Sequence, residues 1–84
     1  MSFRVEIKRT AEKELANLTQ EAQQRIAKAL MRLVEQPFPA GFKKLKGSTD
    51  YRIRIGDYRI LYTVDTRGKS VFVFAIGHRR EVYR

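Results

Sequence analysis

The stretch "YRIRIGDYRILYTVD", residues 51–65, decides the fold of this chain. In its first five residues apolar and arginine side chains alternate, which is the period of a strand with one buried face. Gly56-Asp57 follows as a two-residue turn sequence, and a second, less regular strand begins after it. The stretch therefore predicts a β-hairpin with Arg52 and Arg54 on the side away from the isoleucines. These arginines are about 7 Å apart along the strand, close to the phosphate spacing of a nucleic acid strand.

The remaining segments predict two helices and two more strands. "SFRVEIK" alternates like a half-buried strand, and two segments with helical spacing of apolar residues follow it, each after a threonine that can cap it. Pro37 stops the second helix. The expected elements are a strand over 2–8, helices over 11–18 and 20–36, and strands over 51–55, 58–64 and 70–78.

This order of elements predicts one α+β domain spanning residues 1–84, because two separate cores would each be too small to be stable. We expect an N-terminal strand, a helical hairpin and then a three-stranded antiparallel meander. The helices should pack on one face of a mostly antiparallel sheet.

The charge of the chain is positive and unevenly distributed. Residues 43–84 hold eleven Lys and Arg against four acids, whereas residues 1–42 hold seven against five, and the net charge is +9. A basic half on a small domain points to a polyanionic partner, most often nucleic acid. The alternative is an ordinary solvated surface.

Composition argues against several other classes of protein. The chain has no cysteine and one histidine, so it offers no thiolate metal site and no basis for a zinc cluster. We expect no metal ion and no other cofactor. No apolar run approaches the roughly 20 residues of a membrane span, and the N-terminus has no signal-peptide core, so a cytoplasmic protein without a membrane partner is expected.

Two segments carry a resemblance to a known family. "KLKGSTDYRIRIGDYRILYTVD" followed by "VFVFAIGHRREVYR" resembles the RelE branch of the RelE/ParE toxin superfamily, and the resemblance covers nearly the whole chain. It implies the toxin half of a type II toxin–antitoxin pair. RelE-type toxins are endoribonucleases that cut messenger RNA in the ribosomal A site without a metal. The ribose 2′-OH attacks the adjacent phosphate and leaves a 2′,3′-cyclic phosphate and a 5′-hydroxyl.

The resemblance also implies roles for individual residues. Basic residues of the family's first hairpin strand match Arg52 and Arg54, and its arginine after the hairpin turn matches Arg59. Its arginine at the end of the last strand matches Arg79, with Arg80 beside it as a further RNA-binding candidate. Its C-terminal tyrosine matches Tyr83, which could stack on a base, donate a proton to the leaving oxygen or pack the tail on the sheet. The lysines of the connector, Lys43, Lys44 and Lys46, would extend the basic track for ribosomal RNA.

One departure from the family concerns the general base. Better-known members have lysines where this chain has Arg52 and Arg54, and a guanidinium cannot accept a proton at neutral pH. These arginines are therefore expected to clamp phosphates. His78 is the candidate base, because an imidazole titrates near neutral pH. Alternation along the last strand places it with Phe72 and Ile76, and a purely structural role is the alternative.

The last strand indicates a partner. It is apolar on both faces, with Val71, Val73 and Ala75 expected opposite Phe72, Phe74 and Ile76, and the helices can cover only one face. The resemblance supplies an acidic, RelB-like antitoxin that would cover part of the other face and pair with the arginines in a hetero-oligomer.

Three other functions remain open from the sequence. A ParE-like toxin would inhibit DNA gyrase and cleave nothing. A non-catalytic RNA-binding module would need only the basic surface. A degenerate, inactive toxin is the third, because two family lysines are arginines here.

Overall fold

The computed structural model describes residues 2–45 and 50–78. In chain order the elements are β1 (Arg4–Ile7), α1 (Arg9–Ala16), α2 (Gln20–Glu35), β2 (Lys43–Lys44), β3 (Tyr51–Ile55), β4 (Tyr58–Asp65) and β5 (Ser70–His78). The strands form one sheet in the order β1-β5-β4-β3-β2, in which only the β1–β5 pair is parallel. The predicted α+β class, helical hairpin and antiparallel meander are confirmed.

Two details of the sheet go beyond the predicted strand and meander. The connector contains a short strand, β2, which pairs antiparallel with the start of β3. A two-residue strand has no period that a sequence pattern could reveal. The N-terminal strand lies beside the last strand of the meander, which places the long β5 between β1 and β4.

The two helices begin differently. Thr19 caps α2 as predicted, because its Oγ1 accepts a hydrogen bond from the backbone N–H of Ala22 at 3.2 Å. Thr10 does not cap α1, which begins at Arg9 after Lys8. The N–H of Lys8 still donates to the carbonyl of Val73 at 2.8 Å, so the chain passes from the sheet directly into the helix. No helix in the described ranges is long and apolar enough to cross a bilayer.

The core lies between the helices and one face of the sheet, which we call the helix face. Its members are apolar residues that recur at helical spacing in α1 and α2 and at every second position of the strands. Those contributed by the helices are Ala11, Ile26, Ala29, Leu30 and Leu33, and those contributed by the sheet are Ile53, Ile60, Tyr62, Val71, Val73 and Ile76.

An aromatic cluster fixes the segment after α2 against the sheet. Tyr62 is fully buried, and its hydroxyl donates to the carbonyl of Pro37 at 2.8 Å. Tyr51 lies 5.1 Å from Phe38 and 5.9 Å from Phe42 and from Tyr62, measured between ring centroids. Burial, with a smaller contribution from Tyr51, raises the pKa of Tyr62 to about 12. The cluster holds the connector where β2 can pair with β3.

A β-bulge in β5 changes which of its side chains face the helices. Leu61 of β4 is paired with Ala75, but the next residue, Tyr62, is paired with Val73, so Phe74 is an extra residue in β5. One extra residue reverses the alternation of every side chain that follows it.

The expectation that Ile76 and His78 share a face with Phe72 is therefore wrong. Val71, Val73 and Ile76 are all fully buried in the core on the helix face. Phe72 lies on the opposite face and is 42% exposed. The sequence could not reveal the bulge, because the extra residue is as apolar as its neighbours.

Candidate nucleic-acid interface

Three arginines lie together on the sheet face that points away from the helices. Arg52 and Arg54 belong to β3, and Arg59 belongs to β4 directly opposite Arg54 in the antiparallel register. Lys43 of β2 is opposite Arg52 on the same face. We call the surface formed by these four residues the arginine face. The structure thus brings the three hairpin arginines together on one face, with Arg52 and Arg54 on the side predicted for them.

The turn between β3 and β4 determines which residues are opposed. Gly56 has a φ of +61°, whereas Asp57 has no positive φ, and this combination is typical of a type II′ turn. Such a two-residue turn leaves Ile55 opposite Tyr58, so Arg54 must be opposite Arg59. The register of the arginines is therefore set by one glycine.

Arg59 is the most enclosed charged residue of the arginine face. It is 5% exposed, and its Nη1 donates to the carbonyl of Tyr58 at 3.2 Å. Its Nε is buried and has no hydrogen-bond acceptor within residues 2–45 and 50–78. No carboxylate of those residues forms an ion pair with it.

A buried cation without a counter-ion is energetically unfavourable, by several kcal/mol after relaxation. An anion bound at the guanidinium would offset this cost. On its other side Arg59 is opposite Gly77 of β5, which has no side chain that could fill the space above the sheet. The planar guanidinium of Arg59 can bind two oxygens of an anion such as a phosphate.

His78 is not brought together with the arginines. It is opposite Tyr58 on the helix face, with the two rings 5.9 Å apart in an edge-to-face arrangement. It lines a cavity of about 400 Å³ together with Glu14 of α1 and Asn17, the residue that follows this helix. Glu14 also accepts a hydrogen bond from the backbone N–H of Ile76 at 3.1 Å. Ile76 lies in the part of β5 that extends past its pairing with β1. This surrounding favours a structural role for His78 over that of a base acting on the arginine face.

The other predicted site residues have mixed outcomes. Lys44 is opposite Tyr51, so the register places it on the helix face, away from Lys43. Four further predicted residues lie outside the described residues: Lys46, Arg79, Arg80 and Tyr83.

The sequence analysis missed a second group of basic residues. Arg25, Lys28 and Arg32 recur at helical spacing on α2, and together with Arg54 they line a cleft of about 330 Å³ between that helix and the hairpin turn. We call this the α2 cleft. The spacing of these residues, three and then four along the chain, could have shown that they share one side of α2. Nothing in the sequence indicated that this side of the helix faces the hairpin.

Comparison with known proteins gives a match over almost the entire chain. Residues 5–83 match the family model described as "ParE toxin of type II toxin-antitoxin system, parDE". The whole chain is 31% identical to a protein of Methanocaldococcus jannaschii named "Putative toxin RelE1", of which it covers 98%.

Solved structures agree with this match. The archaeal RelE–RelB complex from Pyrococcus horikoshii OT3 contains a chain that is similar with a TM-score of 0.85 and 28% identity, over 98% of this chain and 100% of that one. The intact RelBE toxin–antitoxin complex of E. coli gives a TM-score of 0.79 and 27% identity, over 92% and 96% of the two chains. The similarity extends over the strands that carry the arginine face.

Proposed function

The chain belongs to the ParE toxin family of type II toxin–antitoxin systems, as a toxin of the RelE type, and on that premise we propose that it is a ribosome-dependent endoribonuclease. The substrate is messenger RNA in the ribosomal A site, so the toxin acts in the cytoplasm. The observation that carries the proposal is Arg59, a buried guanidinium without a carboxylate partner among the described residues, at the centre of a basic face.

The proposed reaction is attack of a ribose 2′-OH on the adjacent phosphate. The bond from phosphorus to the 5′-oxygen breaks, which leaves a 2′,3′-cyclic phosphate and a 5′-hydroxyl. Negative charge develops on the phosphate oxygens in the transition state, and fixed cations aimed at those oxygens stabilise it without reorganisation. Arg59 has the fixed position that this role needs, since the sheet encloses it.

The roles that we propose for individual residues follow from the geometry and from the family resemblance. Arg59 binds the scissile phosphate, and Arg52 and Arg54 hold the flanking backbone at the edge of the same face. The resemblance adds Arg79 at the scissile phosphate and Tyr83 at the leaving oxygen or against a base. Lys43, Lys46 and Arg80 extend the basic surface for ribosomal RNA, whereas Lys44 lies on the helix face and is not assigned to it.

The attacking hydroxyl must also lose a proton. None of the three arginines can accept it, because a guanidinium remains protonated at neutral pH. His78 lies on the opposite face of the sheet, beside Tyr58. We therefore propose that the acceptor is a water molecule or a group of the ribosome, and that the toxin contributes chiefly positioning and charge stabilisation. No metal is needed for this chemistry.

An acidic antitoxin is the proposed protein partner. Relatives of known structure were solved as RelE–RelB complexes. In this chain a net charge of +9 and the half-exposed Phe72 give such a partner both a charge and an apolar surface to cover. Carboxylates bound to the arginine face would exclude RNA without any change in the toxin fold.

Inhibition of DNA gyrase is the second candidate function, because the matching family model is described as a ParE toxin. One pair of assays separates the two. The toxin is expressed from an inducible promoter, and primer extension on a translated message is compared with supercoiling by gyrase in the presence of purified toxin. We expect new 5′ ends within codons and normal supercoiling. Loss of supercoiling with an intact message would establish the gyrase inhibitor instead.

A further inference from the structure

The α2 cleft is a second concentration of positive charge, separate from the arginine face. Arg25, Lys28 and Arg32 form one wall, and Arg54 and Gly56 of the hairpin form the other. Arg32 and Arg54 also line an adjoining cavity of about 340 Å³, which reaches Lys43 and Arg52. The two cavities share Arg32 and Arg54 and adjoin each other along the outer edge of β3.

The cations of the α2 cleft have no carboxylate at ion-pair distance in the part of the chain that the structure describes. Within residues 2–45 and 50–78, none of Arg25, Lys28, Arg32 and Arg54 forms an ion pair. Lys28 and Arg32 are four residues apart on the helix, a spacing at which like charges destabilise it by a few tenths of a kcal/mol, about 0.2–0.5. An anion bound between Lys28, Arg32 and Arg54 would offset this repulsion.

One wall of the cleft contains a close approach between Arg25 and Gly56, which a larger residue would crowd. A Cβ atom on Gly56 would lie 3.0 Å from Nη2 and 3.1 Å from Nη1 of Arg25. The guanidinium of Arg25 therefore lies directly against the backbone of the turn. The same glycine sets the register of Arg54 and Arg59, so the arginine face and the cleft depend on one turn.

The path between the two basic surfaces is open. In the described part of the chain, β2 pairs only with Tyr51 and Arg52, which leaves the outer edge of β3 uncovered from Ile53 to Ile55. Arg54 lies at this edge, where it belongs to the arginine face and also lines the cleft. A linear polyanion could therefore pass from one surface to the other in contact with cations throughout.

We propose that the α2 cleft binds the phosphodiester backbone of the RNA strand whose neighbouring segment occupies the arginine face. The inference rests on the proposed function, since it extends the site of that same RNA. An acidic peptide is the competing ligand, but a peptide that folds on a surface needs apolar anchor points. The cleft offers only Ala29 and Ile55 between its four cations.

The test measures RNA binding separately from cleavage. The probe is a short, fluorescently labelled single-stranded 2′-O-methyl RNA, which has no free 2′-OH and is not cleaved. Its affinity is measured over a series of salt concentrations for the wild type and for the double variant Lys28→Gln/Arg32→Gln. The control is Lys13→Gln/Arg67→Gln, which removes the same charge from exposed positions outside the cleft.

The salt dependence gives the decisive result. The association constant falls as salt rises, and each phosphate contact contributes about −0.7 to the slope of log K against log salt for a single strand. The cleft variant lacks two cations, so its slope should be less steep than that of the wild type by about 1.4. We also expect its affinity to fall about tenfold or more, while the control keeps the wild-type slope. An unchanged slope in the cleft variant overturns the proposal. Polyglutamate serves as a second probe that represents an acidic peptide, and a variant that loses affinity for polyglutamate but not for the RNA also overturns it.

Two further measurements keep the result interpretable. Amide chemical shifts of Lys28 and Arg32 in the wild type should change when the RNA probe is added, and a spectrum in which both stay unchanged also contradicts the proposal. Cleavage of a translated message is followed separately. If the wild type does not cleave the message but the probe still binds through the cleft, only the proposed ribonuclease activity is contradicted. If the message is cleaved normally and the cleft variant keeps the wild-type salt dependence, only the role proposed for the cleft is contradicted.

Discussion

Arg54 of β3 and Arg59 of β4 are directly opposed across the sheet, one exposed and the other buried. Like charges at opposed positions of an antiparallel pair destabilise the sheet, by about 0.2–1 kcal/mol. Burial of Arg59 adds a desolvation penalty that no carboxylate in the described ranges offsets. An anion bound at both side chains would offset these two costs, as the proposed phosphate site requires.

Replacement of Arg59 by methionine should separate stability from activity. Methionine fills a similar volume without a charge, so we expect the thermal midpoint of Arg59→Met to equal or exceed that of the wild type. Growth arrest and message cleavage should be lost. Arg67→Met, at the exposed β4–β5 turn, should change neither property. An active Arg59→Met variant would remove this residue from the site.

Replacement of Arg79 by alanine tests the resemblance independently of the fold. If Arg79 binds the scissile phosphate as in the family, Arg79→Ala should abolish growth arrest at equal expression. The circular dichroism spectrum should remain that of the wild type. Full toxicity would show that the family assignment does not transfer to this position.

His78→Gln should leave single-turnover cleavage within a few-fold of the wild-type rate. The reason is its position beside Tyr58 on the helix face, away from Arg59. The pH–rate profile should keep its shape. A general base would behave differently, since its removal slows the reaction by about 10²-fold or more and removes the acidic limb of the profile. That result would restore His78 as the base.

Tyr62 predicts a specific loss of stability at high pH. Its pKa is raised to about 12 by burial, whereas a tyrosine in the unfolded chain titrates near 10. Between pH 10 and pH 12 the hydroxyl of Tyr62 keeps its proton in the folded state and loses it in the unfolded state. The contribution of this group to the free energy of unfolding is therefore fully present below pH 10 and decreases as pH rises towards 12, by at most about 1.4 kcal/mol per pH unit. Urea denaturation should show this slope in the wild type and lose it in Tyr62→Phe.

Gly41 provides a control for a substitution of Gly56 in the hairpin turn, because both glycines have a positive φ. Gly41 has a φ of +89° with no atom within 4 Å of an added Cβ, so Gly41→Ala should cost only backbone strain, about 1–2 kcal/mol. Gly56→Ala carries similar strain and also displaces the guanidinium of Arg25. We expect comparable losses of stability but weaker binding of the RNA probe in Gly56→Ala alone. Equal RNA affinities would show that the position of Arg25 is irrelevant.

The sequence by itself determined the hairpin and the order of the two helices and four longer strands, and it predicted a polyanionic ligand. These depend on local rules: alternation in residues 51–55, the Gly56-Asp57 turn, the Thr19 cap and the helix-stopping Pro37. Motifs around the hairpin and the last strand also sufficed for the family. Local patterns are reliable here because each is satisfied within a few neighbouring residues.

Only the tertiary structure decided how the site is assembled. The extra residue Phe74 reverses the alternation of β5 and carries His78 to the helix face, and no property of that apolar side chain signals it. The burial of Arg59 and the approach of Arg25 to Gly56 join segments that are distant in the chain. Such contacts depend on strand register and on which face of a helix meets the sheet, and both are set by packing of the whole domain.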